Sequence, residues 1–161
     1  MMGVNILRAL AVVASLLPAV LAARCGPEYF PVAGTCVKVV PTTLTWSDAR
    51  ARCQAEDPPA DLLKITPEKL LEDLSRFINT KFPEETGDRY SYWVGGHGAN
   101  QDWRWVDGSK LSIKSNIWLP DEPSQTQKGF TKLVMASAVH GRRYLVYGPE
   151  KSTAQGFICE H

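Results

Sequence analysis

Four cysteines, Cys25, Cys36, Cys53 and Cys159, constrain this chain more than any other feature of its sequence. Their meaning depends on what precedes them. Met1 to Arg8 carries one basic side chain, Ala9 to Leu17 is apolar and uninterrupted, and Pro18 breaks the run before Val20-Leu21-Ala22. This reads as an export signal over residues 1–22, cleaved after Ala22, because the apolar stretch falls well short of the roughly 20 residues a bilayer-spanning helix needs. An exported chain folds in an oxidising compartment, where an even number of cysteines reads as bridges. Residues 23–161 are therefore expected to form one secreted, extracellular domain with no membrane span after cleavage.

Four cysteines allow three pairings. Pro27, Pro31 and Gly34 lie between Cys25 and Cys36 and suit a small hairpin closed by its own bond, which leaves Cys53 for Cys159. In the chain-entropy picture the long closure is worth about 4–5 kcal/mol and the short one about 3 kcal/mol. Zinc is the competing use of cysteine, but no C-x-x-C occurs and His97, His140 and His161 are scattered. The balance of 18 Lys+Arg against 17 Asp+Glu leaves a formal charge of +1, without the clustered basic face that nucleic acid demands. No G-x-S-x-G, H-E-x-x-H or phosphate-binding glycine loop is present. With both bridges formed no thiol is left as a nucleophile, so an enzyme is not expected.

Periodicity predicts two helices followed by a strand-rich half. Thr45 is placed to cap a helix, with Asp48 three residues on, and Trp46, Ala49 and Cys53 share one face of it. Pro58-Pro59 ends that helix. Thr66-Pro67-Glu68 predicts a second start, with Thr66 as N-cap and Pro67 in the first helical position. Leu70, Leu71, Leu74, Phe77 and Ile78 form its buried stripe up to Pro83. Short strands are expected at Tyr29-Phe30 and Cys36–Val40 around a turn at Ala33-Gly34. Further strands are expected at Tyr90–Gly95, Lys132–Val139, Arg143–Tyr147 and Phe157–Cys159, with a hairpin tip at His140-Gly141. From Gly95 to Pro123 turn formers crowd in, and that stretch is expected to be a long irregular loop.

At this point the residues carry a resemblance. Cys25-Gly-Pro-Glu-Tyr-Phe with Cys36, Trp46-Ser-Asp-Ala-Arg-Ala-Arg-Cys53, Tyr92-Trp-Val-Gly-Gly96, Trp103-Arg-Trp-Val-Asp-Gly108, Trp118-Leu-Pro-Asp-Glu-Pro-Ser124 and Phe157-Ile-Cys-Glu160 follow one another. In that order they resemble the C-type lectin-like domain, in its long form with an N-terminal hairpin, from Cys25 to Glu160. The resemblance implies an α+β fold with two helices flanking small antiparallel sheets and a long loop region. It also implies the Cys53–Cys159 bridge, and places Trp93, Trp103 and Trp105 in the core.

The departures from the family pattern bear on mechanism. Sugar-binding members hold a calcium ion with a Glu-Pro-Asn motif, an acid about six residues later and an Asn-Asp pair on the following strand. Here Glu122 and Pro123 are retained, Ser124 replaces the asparagine, and six residues on stands Phe130. Between Thr131 and Ile158 there is no Asn or Asp, and Glu150 is the only carboxylate. Calcium takes six to eight oxygens, so no Ca2+ is expected at the sugar position and Glu122 is only a weak metal candidate. Asp102, Asp107 and Asp121 are read as turn formers rather than a second calcium site. The family's extra loop disulfide is absent, with Lys132 standing where its first cysteine is expected. A cis Glu122–Pro123 bond, as in sugar-binding relatives, is left open.

Candidate contacts for a ligand are Glu122, Pro123, Ser124, Trp118, Lys132, Tyr144 and Tyr147, with Lys128, Arg142 and Arg143 as cations that could meet anionic glycans. No cofactor is required. The expected partner is a glycan or a microbial surface polysaccharide, recognised without calcium in innate-immune fashion. The alternative is a lectin-like scaffold with no sugar site that recognises a protein.

Overall fold

The computed structural model describes residues 25–85, 90–123, 129–137 and 142–161. The expected export signal over 1–22, Ser124, Lys128 and the His140-Gly141 tip lie outside the described residues.

The N-terminal hairpin joins β1 (Phe30–Val32) to β2 (Thr35–Val40). Ala33 and Gly34 both take positive φ, 49° and 88°, the backbone that matches the twist of a tight two-residue hairpin. After β3 (Leu44–Thr45), α1 runs over Trp46–Gln54. Its start is the expected one: the Asp48 N–H donates to Thr45 Oγ1 at 3.3 Å, and that hydroxyl donates to Asp48 Oδ2 at 2.6 Å. The helix stops at Ala55, ahead of the Pro58-Pro59 pair.

Beyond β4 (Asp61–Leu62), α2 covers Lys69–Lys81. Its start corrects the sequence reading. Thr66 is not the N-cap, and Pro67 and Glu68 form a turn in which Leu70 N–H donates to Pro67 O and Leu71 N–H to Glu68 O. Thr66 N–H instead donates to Lys64 O at 3.1 Å, and the Glu68 carboxylate accepts from Ser115 Oγ. The local signals were therefore spent on a turn, and the helix begins where Leu70 and Leu71 can enter the core.

The second half is more regular than its turn formers imply. β5 spans Ser91–Ala99, β6 Asp102–Trp105 and β7 Lys110–Leu111. β5 and β6 join through Asn100 and Gln101 at φ 50° and 71°. Then come β8 (Phe130–Ser137), β9 (Arg143–Pro149), β10 (Thr153–Ala154) and β11 (Gly156–Glu160). One sheet runs β1-β2-β11-β5-β6-β7, with β8 pairing to β5 and β9 to β8, and β10 pairs separately with β3. β11 lies parallel to β5 and antiparallel to β2, so the C-terminal strand closes the fold centrally.

Both sheet faces are covered. Leu70, Leu71, Leu74 and Ile78 of α2 pack with Tyr92, Val94, Leu133, Met135 and Ile158. Trp46, Ala49 and Cys53 of α1 pack with Leu62, Trp93, Val134 and Phe157. Adjacent residues of β5 thus serve opposite cores, as a strand of period two requires. Both expected disulfides form, Cys25–Cys36 and Cys53–Cys159. The second pins α1 to β11 with both cysteines fully buried. The architecture is the expected α+β fold.

Candidate functional site

The segment expected to meet a ligand is held against β9. Leu145 N–H donates to Ile117 O at 2.8 Å and Leu119 N–H to Leu145 O at 3.0 Å, so residues 117–119 run alongside the strand. From there the chain turns: Glu122 N–H donates to Leu119 O at 2.9 Å, Asp121 takes φ 70°, and the Glu122–Pro123 bond is cis. Glu122 and Pro123 are half-buried at the loop crest.

Trp118 and Tyr147 do not belong to a ligand surface, which corrects the sequence reading. Trp118 is 4% exposed and Tyr147 8%. Their rings close on Trp103 at 5.4 and 5.6 Å, and Trp118 Nε1 donates to Ser112 O at 3.0 Å. A ring with both faces packed and its one donor satisfied offers nothing to a sugar. Trp93, Trp103 and Trp105 are core, as expected.

Arg143 is corrected likewise. It is fully buried in the layer next to α2, its guanidinium 5.0 Å from the centre of the Tyr92 ring with Nη1 donating to Tyr90 O. A side chain so enclosed cannot meet a glycan. Arg142 is exposed, with its guanidinium 4.9 Å from the Tyr144 ring centre. Tyr144 pairs with Ala136, while Lys132 pairs with Gly148 at the other end of the same ladder, roughly 13 Å away at 3.3 Å per residue. Lys132 Nζ lies over the Trp46 ring at 4.4 Å and 3.6 Å from Glu150. The candidate set therefore divides into a loop crest (Glu122, Pro123), a β9 start (Arg142, Tyr144), a buried aromatic group and Lys132 apart.

Two of the loop acids have partners. Asp107 accepts from Lys64 Nζ at 2.6 Å and from the N–H and hydroxyl of Ser109, which hold its carboxyl down at about 2. Asp102 lies 3.4 Å from Arg104, and Asp121 is exposed at its turn. On β9 the position beside the loop is Leu145, fully buried and without a side-chain oxygen. Among the described residues no three His, Cys, Asp or Glu side chains are grouped so as to hold a metal ion.

His97, which the sequence places in a turn of the Gly95–Pro123 stretch with no role, lies instead on a strand. On β5 its neighbours across the sheet are Arg104 on β6 and Lys132 on β8. Burial, then the charges of Lys132, Arg50 and Arg104, push its imidazole below the usual range. Only strand register brings these residues together, so no linear motif could have revealed them.

Residues 42–161 match the family model for the lectin C-type domain. The chain is similar to the human "C-type lectin domain family 17, member A", at 30% identity over 103 residues covering 62% of this chain and 24% of that protein. It is also similar to rheacalcin-1 of Rhea americana, at 29% identity over 108 residues covering 67% of this chain and 77% of that protein. The chain thus spans about a quarter of the human relative and most of the avian one. Among solved structures, human lithostathine superposes with a TM-score of 0.67 at 22% identity, covering 87% of this chain and 92% of that one. The carbohydrate-recognition domain of the mouse scavenger receptor C-type lectin does so with a TM-score of 0.66 at 19% identity, covering 86% and 98%. At those identities the superpositions establish the shared fold.

Proposed function

The chain belongs to the C-type lectin domain family, and from that premise we propose that it is a secreted binding protein, not an enzyme, that recognises carbohydrate or microbial surface polysaccharide without calcium at the usual sugar position. Innate-immune pattern recognition is the role this reading fits. The carrying observation is the company that Glu122 keeps. The carboxylate is retained at the loop crest beside a cis proline, and the strand residue paired with residues 117 and 119 is Leu145, buried and without a side-chain oxygen. Calcium needs six to eight oxygens, several of them charged. One carboxylate, with the Ser124 hydroxyl expected from sequence, does not suit it. The loop crest suits direct hydrogen bonding to sugar hydroxyls instead, with Glu122 accepting, and at the start of β9 the half-buried Tyr144 ring beside Arg142 is a second contact for sugar C–H groups.

A glycan array read first in calcium and then in EDTA tests this. The expected result is binding that survives chelation and weakens in Glu122→Ala and Tyr144→Ala. Binding abolished by EDTA overturns the calcium-free reading. Silence in both buffers overturns sugar recognition in favour of a lectin-like scaffold that binds protein. Secretion is checked by the N-terminus of the exported chain, which is expected at residue 23. Among the described residues no helix is long and apolar enough to cross a membrane.

A further inference from the structure

Three basic side chains stand side by side across the sheet. Arg104 on β6 is directly opposite His97 on β5, and His97 is directly opposite Lys132 on β8. Directly opposed residues share one face with Cβ atoms about 5 Å apart, where like charges repel. A fourth group, Arg50, reaches the same place from α1. The Trp46 indole lies against three of the four. The Lys132 ammonium is 4.4 Å from its ring centre, the Arg50 guanidinium 5.7 Å and the His97 ring 6.0 Å.

The acids facing this row differ in how firmly they hold it. Asp61 on β4 takes Arg50 in a two-point pair, with Nε–Oδ1 at 3.0 Å and Nη2–Oδ2 at 2.9 Å, geometry that persists. Glu150, after β9, is 3.6 Å from Lys132 and largely exposed, and Asp102 on β6 is 3.4 Å from Arg104 with both half in solvent. Both contacts are long; Arg104 stands half in solvent and can turn to another anion at small cost, while Lys132 lies largely buried over Trp46 and has only the distant, exposed Glu150 to exchange. The His97 imidazole is held below its usual range first by burial and then by the charges of Lys132, Arg50 and Arg104, in keeping with this geometry.

We propose that Arg104, His97 and Lys132, with Arg50 beside them, form a binding site for a tetrahedral oxoanion, a sulfate or phosphate ester borne on a glycan. The site lies on the face that α1 covers and is independent of the loop reading at Glu122 and Tyr144. An oxoanion there replaces two weak acid contacts and favours the imidazolium, so binding takes up a proton and tightens as pH falls. Linear sequence hides the site because its four members lie at positions 50, 97, 104 and 132.

The test uses the whole chain in EDTA at low salt, titrated with dextran sulfate, unsubstituted dextran, inorganic sulfate and inorganic phosphate at pH 7.5 and 5.5. Dextran sulfate is expected to bind and dextran not, with affinity higher at pH 5.5 by about tenfold if the bound anion raises the imidazole by about one unit. Whichever small anion competes better identifies the ester. His97→Gln should remove the pH difference, and Arg104→Gln should weaken binding several-fold at both pH values. Arg76→Gln, the same charge change on α2, should have no effect. Equal losses in Arg76→Gln and Arg104→Gln would show attraction by net charge alone and overturn the site. So would an unchanged pH difference in His97→Gln, or no binding to dextran sulfate. Neutral glycans on the array report the loop, so failure of one site is distinguishable from failure of the other.

Discussion

Individual side chains here take roles that residue type alone leaves open. Tryptophan suits a core and a sugar platform equally, and for Trp118 the deciding facts are an indole N–H spent on Ser112 O and a ring closed on Trp103. Trp118→Ala is accordingly expected to cost stability by about 3–5 kcal/mol, read from urea midpoints, as for other buried large-to-small changes. His97 illustrates the same point for charge. Its folded value lies below the usual 6.5, so between the two the unfolded chain binds a proton that the folded chain does not. Stability without ligand should therefore fall as pH drops through about 6.5. His97→Gln should narrow the gap between urea midpoints measured at pH 7.5 and 5.0, and an undiminished gap would refute that assignment. Arg143 had looked like a surface cation, yet its backbone N–H faces Ser75 Oγ and its guanidinium covers Tyr92. Nothing in the pair Arg142-Arg143 distinguishes them until strand alternation turns one in and the other out.

Elements were legible where a short-range physical signal names them. The start of α1 follows from Thr45, whose hydroxyl accepts from the Asp48 N–H, a donor the helix leaves open, and donates to the Asp48 carboxylate. Thr45→Ala should lower stability by about 1 kcal/mol, measured by chemical denaturation. The start of α2 was misread because Thr66-Pro67-Glu68 carries the same local signals, while the contacts of Thr66 and Glu68 belong to Lys64 and Ser115. β6 and β7 were hidden for a related reason. They are short and bounded by Asn100, Asp107 and Gly108, and what makes them strands is a partner edge, that of β5 for β6 and that of β6 for β7. The β1–β2 hairpin needs less help: Ala33-Gly34 turns it and Cys25–Cys36 closes it. Replacing both of those cysteines by Ala should cost up to about 3 kcal/mol.

At the scale of the molecule, two apolar layers share one sheet, and the Cys53–Cys159 bridge joins α1 to β11, the strand that links the N-terminal hairpin to β5. That bridge closes a sequence separation of 106 residues. Its removal, as Cys53→Ala with Cys159→Ala, is expected to cost about 4–5 kcal/mol. A loss no larger than that of the hairpin bridge would contradict the loop-closure account.

The sequence by itself determined the two helices, the hairpin bridge and the poverty of oxygen donors between Thr131 and Ile158 through residue chemistry and local spacing, and the class of the fold with the Cys53–Cys159 bridge through the family motifs it resembles. Tertiary structure alone decided which aromatics face solvent, which of two neighbouring arginines is buried, and that positions 50, 97 and 132 meet at Trp46 with position 104 opposite 97. The physical reason is register: a slip of one residue in β5 or β8 would send His97 or Lys132 to the opposite face, and only the packing of the two cores selects the pairing observed.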